Sequence, residues 1–320
     1  MQQNTLTVVS LFAGVGGLDL GFKNAGFDVI WANDSNKKLK ETYEYNHKNT
    51  KFVIKKIQDL EISEIPEADV IIGGPPCQSW SLAGNRRGID DERGQVFYNY
   101  INLVEKKQPK AFVVENVKGL ISRKHIQEFE KIIKTFEKVG YTVNYKLLNA
   151  KNYGVCQNRE RVFIIGLRKD LNLHFTFPKV THESSYVTLK ETIGDLVEEP
   201  GEYSKGSYSS IFMSRNRKKD WNDISFTIQA GARQIPLHPD SPEMIKIEKD
   251  KRVFAKTQCH KLRRLSIKEC ARIQGFDDNF NFIANNISDK YSMIGNAVPV
   301  LLAHKIAEEL KKTLLNNKKI

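Results

Sequence analysis

Long apolar runs are missing from this 320-residue chain. None approaches the roughly eighteen residues of a membrane-spanning helix, so no membrane role is expected. The N-terminus, Met1 to Thr7, shows no basic stretch leading into an apolar core. No secretion signal is read there, and a cytoplasmic protein is expected. Cysteine is scarce: Cys77, Cys156, Cys259 and Cys270 are widely scattered, with no CxxC pair and no Cys/His ligand spacing. A disulfide framework and a metal site are therefore not expected. Acidic residues are in deficit, 38 against 50 basic, for a net charge of +12. That balance suits a polyanionic partner.

What is present reads as an ordinary globular protein, with 40% hydrophobic and 28% charged residues. The length allows one large domain or two moderate ones. Over the first 170 residues, short apolar runs alternate with helical patterns. "LTVVSLF", "FDVIWA", "DVIIG", "AFVVEN" and "RVFIIGL" read as strands, and 18–25, 96–106 and 125–139 as helices. Such alternation predicts a parallel, doubly wound α/β sheet, and the unbroken apolar strands predict burial on both faces. After about residue 171 the texture turns loop-like, with "HESSYV", "EEPGEYSKGSYSS" and "PLHPDSPEM". Helical spacing returns at "LSIKECARIQGF" and in the segment after "GNAVPV". No internal repeat is visible.

The glycines of "FAGVGG" follow the first strand and precede its helix, where a backbone can turn tightly beside a ligand. The spacing is not GxGxxG, which disfavours a nicotinamide-dependent oxidoreductase. A turn needed only for packing is the bland alternative. Asp34 closes the second strand, a place where nucleotide-binding sheets put a carboxylate on ribose hydroxyls. In "VIIGGPPCQSW" two prolines stiffen the backbone immediately before Cys77, again at a strand's end. Glu115 in "VVENV" ends another apolar run. In a parallel sheet those two ends can lie side by side, so a thiol and a carboxyl would share a pocket. The bland account is a buried cysteine and a strand-capping glutamate, and it does not easily explain why both lie at strand ends with turn chemistry after each.

"FAGVGG", "GGPPCQSWS", "ENV", "QNRERVFIIG", "RRLSIKECARIQGF" and "GNAVPV" occur here in the order found in DNA cytosine-5 methyltransferases, and the chain resembles that family over nearly its whole length. "GSYSSIFMSRNR", "FTIQA" and "IPLHP" are similar to segments of its bacterial GGCC-modifying members. The resemblance implies a Rossmann-like, S-adenosyl-L-methionine-dependent methyltransferase sheet with a smaller, irregular target-recognition domain. It implies Cys77 as the nucleophile that adds to carbon-6 of a flipped-out cytosine. Glu115 would hold the ring nitrogen and exocyclic amine, and Arg159 and Arg161 the pyrimidine carbonyl or a neighbouring phosphate. Phe12, Gly14, Val15, Gly17, Asp34, Ile57, Pro75, Val96 and Asn296 match cofactor positions. Lys56 departs from the pattern: it stands where the family commonly has an aspartate for the adenine amine, and lysine cannot accept that hydrogen bond.

The stretch 205–235 is basic, with aromatic and amide side chains interleaved. A solvated face is its common meaning. Within this resemblance, Arg215, Arg217 and Arg233 become candidates for reading guanine edges, and lysines such as Lys218 for phosphate contacts. The expected division is a catalytic and cofactor-binding domain over 1–180, target recognition over 181–275, a hinge over 276–290 and a returning segment over 291–320. The expected partner is double-stranded DNA, met by a monomer that works beside a companion restriction endonuclease without touching it. Two rivals stay open: a transfer-RNA cytosine-5 methyltransferase, and a non-catalytic sequence-specific DNA-binding regulator.

Overall fold

A computed structural model describes residues 5–76 and 92–315, and they divide into two compact units. The first holds Met1–Asn149, Glu160–Lys179 and Leu302–Ile320; the second holds Ala150–Arg159 and Val180–Leu301. In the first, β1 (Thr7–Leu11), β2 (Asp28–Asp34), β3 (Lys51–Ile54), β4 (Val70–Gly73), β5 (Ala111–Val117), β6 (Tyr141–Asn149) and β7 (Glu160–Arg168) form one seven-stranded sheet. Its order is β3-β2-β1-β4-β5-β7-β6.

Strands β3 to β5 are mutually parallel, as the alternation predicts. The other edge differs from expectation. β7 runs antiparallel between β5 and β6, so the sheet is mixed. An apolar run such as "RVFIIGL" records burial on both faces, not direction. β6 was not expected at all: its burial alternates poorly, and Lys146 and Tyr145 are exposed.

The sheet carries α1 (Gly17–Asn24), α2 (Lys40–Asn46), α3 (Glu92–Lys107) and α4 (Ile126–Lys138). In α4 the buried residues are Phe129, Ile132 and Phe136, spaced so that all three lie on one helical face. That face joins Phe97, Tyr100 and Val104 of α3 over Val9, Ile71, Phe112 and Val114 of the sheet. The Phe136 ring stacks on Phe112 at 4.1 Å.

The second unit contains α5 (Leu189–Ile193), α6 (Ser210–Met213), α7 (Ile267–Gln274), α8 (Ile287–Asn296) and a hairpin of β8 (Met244–Glu248) and β9 (Lys251–Phe254). It runs on to Leu301 and takes in Ala150–Arg159. The region expected as a hinge thus belongs to it. The amide of Gln274 explains part of this, since it donates to the carbonyls of Ile294 and Ala297 at 3.1 and 2.6 Å. The last helix, α9 (Val300–Leu315), spans the boundary. Its later part lies on α1: Lys311 Nζ donates to the carbonyls of Ala25 and Gly26 at 2.9 and 3.1 Å. Those carbonyls are left open at the end of α1, where a cation is favoured.

Candidate active site

Four parallel strands end in register. Leu11 stands opposite Asn33 and Gly73, and Gly73 opposite Val114. The next residues along these strands are Phe12, Asp34, Gly74 and Glu115, so the candidates from "FAGVGG", "WAND", "GGPPC" and "ENV" leave one edge of one sheet. In open α/β sheets that carboxyl edge is where ligands bind.

The glycine loop is built from residues that most side chains avoid. Phe12, Gly14 and Gly16 have φ of 53°, 61° and 84°. An aromatic residue at positive φ stores on the order of 1–3 kcal/mol of strain, and such strain gathers at ligand sites. At Gly14 an added Cβ would meet nothing within 4 Å among the described residues, so its φ, not crowding, requires glycine. The Gly14 N–H donates to Asp34 Oδ2 at 3.0 Å and the Asn36 N–H to Oδ1 at 2.9 Å. Burial lifts the Asp34 carboxyl above its ordinary range, against backbone N–H groups that pull it down. This donor and acceptor set fits an adenosyl cofactor, with Asp34 for ribose hydroxyls and the loop for close backbone approach.

The other cofactor candidates fall as follows. Val15 and Gly17 are buried at the start of α1, Ile57 is 7% exposed after β3, and Val96 is half-buried on α3. Lys56 is exposed, with its carbonyl accepting from the Asp59 N–H at 3.0 Å. Pro75 is buried, and its carbonyl accepts from Asn116 Nδ2 at 2.8 Å. Asn296 belongs to the second unit, where its Nδ2 meets Ser292 Oγ at 3.3 Å. Cys77 lies outside the described residues.

Glu115 and Arg161 are brought together. Arg161 Nε lies 2.7 Å from Glu115 Oε1, with side chains 14% and 11% exposed. The pairing follows from the antiparallel register: Val117 faces Arg161, so Glu115 is its diagonal neighbour on the same sheet face. The second carboxyl oxygen lies beside the chain leading to the nucleophile candidate, since a Cβ at Gly74 would stand 3.4 Å from Oε2.

Arg159 has a different environment. It is 2% exposed, in the second unit, and its guanidinium donates to the carbonyls of Ile228, Gly295 and Ala297 at 3.0, 2.8 and 3.1 Å. Gly295 tolerates no side chain there, because a Cβ would come within 2.3 Å of the Gln229 backbone. Arg159 therefore binds three chain segments of its unit together.

Of the arginines expected to read bases, Arg215 and Arg233 are exposed. Arg217 is nearly buried; its guanidinium donates to Gln234 Oε1 at 2.5 Å and lies over the Phe212 ring at 5.6 Å. Lys218 departs from expectation. It is nearly buried, and its ammonium closes on Asp220, at 3.1 Å, and on Glu243. Two local carboxylates already neutralise it, so it is not a free phosphate contact. Sequence reasoning passed over Asn116, which holds the proline turn and had a usable signal in its place beside Glu115 at a strand end. Gln234 stood out only as one of the amides interleaved in the basic stretch, and its contact with Arg217 had no signal there.

Comparison with known proteins places the arrangement. A family model described as C-5 cytosine-specific DNA methylase matches residues 6–312. The chain is 49% identical to the Type II methyltransferase M.MthTI of Methanothermobacter thermautotrophicus, over 97% of this chain and 98% of that protein. It is 50% identical to the Type II methyltransferase M.FnuDI of Fusobacterium nucleatum, over 98% and 97%. Among solved structures, the methyltransferase EhMeth of Entamoeba histolytica superposes with a TM-score of 0.70 at 18% identity, over 99% of this chain and all of that one. A DNMT2 variant of Spodoptera frugiperda superposes at 0.69 and 20% identity, over 97% and 99%. At such identities the structures speak for the fold alone.

Proposed function

From the premise that this chain belongs to the C-5 cytosine-specific DNA methylase family and is a DNA cytosine-5 methyltransferase of the Type II restriction-modification kind, we propose that it modifies the inner cytosine of GGCC with S-adenosyl-L-methionine, through covalent addition of Cys77. The observation that supports the chemistry of this reading is the shared sheet edge, where the Asp34–Gly14 contact, the proline turn and the Glu115–Arg161 pair stand together; the target rests on the likeness of the basic stretch to GGCC-modifying family members. When bound, the cofactor supplies an electrophilic methyl group.

The chain's own residues do the rest. Carbon-5 of cytosine is a weak nucleophile until a thiolate adds at carbon-6. Cys77 forms that bond, and the ring becomes enamine-like. Glu115 holds the base at its ring nitrogen and exocyclic amine, and as an acid offsets the charge that the addition places on the ring. Arg161 fixes the Glu115 carboxyl and directs its remaining donors toward the pyrimidine carbonyl. With the methyl group added at carbon-5, loss of the carbon-5 proton to solvent would expel the thiolate and restore the aromatic ring. A base inside a duplex cannot present carbon-6 to a thiol, so the cytosine is flipped out. Arg159 shapes the second unit, and Arg215, Arg217 and Arg233 read guanine edges in a site with no A·T pair. The enzyme acts as a monomer, with a companion nuclease that it does not touch.

The test is methylation mapping. DNA from cells expressing the protein should resist a GGCC-cutting nuclease and show modified inner cytosines in bisulfite sequencing. Cys77→Ser should abolish transfer, and 5-fluorocytosine duplex should trap the wild-type enzyme through Cys77. Full cleavage with methylation at another sequence overturns the target; trapping through another residue overturns the mechanism.

A further inference from the structure

Beneath the glycine loop lies a buried polar cluster that the reaction does not use. His47 follows α2 and is 1% exposed. Its Nε2 stands 3.0 Å from the Val15 carbonyl oxygen, and its Nδ1 3.2 Å from Lys23 Nζ. A carbonyl only accepts and an ammonium only donates. Nε2 therefore carries the hydrogen and Nδ1 the lone pair. Lys23 is held in place by Thr50 Oγ1 at 2.9 Å, and that hydroxyl donates to the Val29 carbonyl at 2.7 Å.

The ring also fixes its own place. Tyr43 stacks on it at 4.4 Å and donates to the buried Asp19 carboxylate at 2.5 Å, which Ser10 also contacts at 2.6 Å. A Cβ at Gly16 would fall 2.2 Å from His47 Nε2, so the imidazole occupies the room a side chain would need.

We propose that His47 is a positioning residue for the loop that receives the methyl donor: its Nε2–H anchors the Val15 carbonyl, and this anchor sets the affinity for the adenosyl cofactor. The inference rests on the reading that this loop holds S-adenosyl-L-methionine. A loop with three positive-φ residues has other accessible conformations. Anchoring one carbonyl from below removes them beforehand, so binding does not bear the ordering cost. Burial and the facing Lys23 charge hold the imidazole pKa down to about 4, which keeps the ring neutral, with Nδ1 the acceptor toward Lys23.

Two variants of the full chain separate the donor from the bulk. His47→Phe keeps a ring but removes both polar atoms. His47→Gln offers an amide that donates to Val15 and accepts from Lys23. Calorimetric titration with S-adenosylhomocysteine should show His47→Phe about tenfold weaker than wild type, the effect of a carbonyl left unpaired. His47→Gln should stay within about threefold, because both polarities return. Gel-shift affinity for DNA without cofactor should not move in either. Wild-type binding with His47→Phe unchanged overturns the proposal, as does a His47→Gln as weak as His47→Phe. A wild type that binds no S-adenosylhomocysteine overturns the reading of the loop itself. If His47→Phe does not fold, long-range proton–nitrogen NMR of the wild type decides: the Nε2–H tautomer at neutral pH supports the anchor, and the Nδ1–H tautomer overturns it.

Discussion

The Glu115–Arg161 pair lends itself to a test in which stability and activity part company. The two side chains are 11% and 14% exposed and meet at 2.7 Å. At an effective dielectric constant near 20, opposite charges about 4 Å apart attract by about 4 kcal/mol. Arg161→Met keeps most of the aliphatic stem and removes the cation, leaving a carboxylate that has left water without its partner. Breaking a buried pair in this way costs about 3–5 kcal/mol, and the slight exposure here places the loss near the lower end. Glu115→Gln alone should cost less, because the amide oxygen can still accept from Arg161. The double variant contains neither charge, so its unfolding free energy should return to within about 1 kcal/mol of wild type, a coupling of at least about 2 kcal/mol. Activity should not return. Glu115→Gln removes the acid and should lower kcat by about a hundredfold or more, and the double variant should be no better. Urea unfolding followed by circular dichroism and single-turnover methyl transfer on duplex DNA give the two readouts. Additive stability losses would show that the two groups do not interact. An active double variant would show that neither takes part in the chemistry.

Other outcomes follow from the same structure. Asp34→Ala should weaken cofactor binding by about 1–3 kcal/mol, since the loop N–H groups lose their acceptor, while Lys56→Ala at its exposed position should change it far less; equal losses in calorimetry would reverse that assignment. Arg215→Ala or Arg233→Ala should reduce affinity for the cognate site by about 1–3 kcal/mol and relax one base pair. Lys218→Ala, whose charge is already neutralised by Asp220 and Glu243, should leave the salt dependence of DNA binding unchanged, and a flatter slope would place Lys218 on phosphate after all. His47 and His238 are both buried, with pKa values lowered to about 4 from 6.5. Between those values the unfolded chain binds more protons than the folded one, so stability should be full above pH 6.5 and fall as pH drops toward 4, by about 3 kcal/mol per histidine. His47→Gln should remove part of that loss in pH-dependent urea melts, and an unchanged profile would refute its origin.

Much of the architecture can be read locally along the chain. Apolar run length, β-branching and the glycine and proline that stop each run mark β1, β2, β4, β5 and β7. Because ligands gather where such strands end, Gly14, Asp34, Pro75 and Glu115 stand out as candidate site residues before any folding is considered. Strand direction is not local. "RVFIIGL" satisfies a parallel or an antiparallel neighbour equally well, and only the completed sheet turns β7 around and sets Arg161 beside Glu115. Charge is equally undecided along the chain. Arg159 and Arg161 sit two positions apart with the same guanidinium, yet one ends among three carbonyls and the other on a carboxylate. Lys218 looks like a phosphate ligand until Glu243 closes on it. His47 carries no motif, and it acquires a tautomer and a task only because Val15 and Lys23 converge on its ring from opposite sides. An ionisable or polar side chain takes its character from the partners and the dielectric around it, and those are assembled by residues far off in the chain.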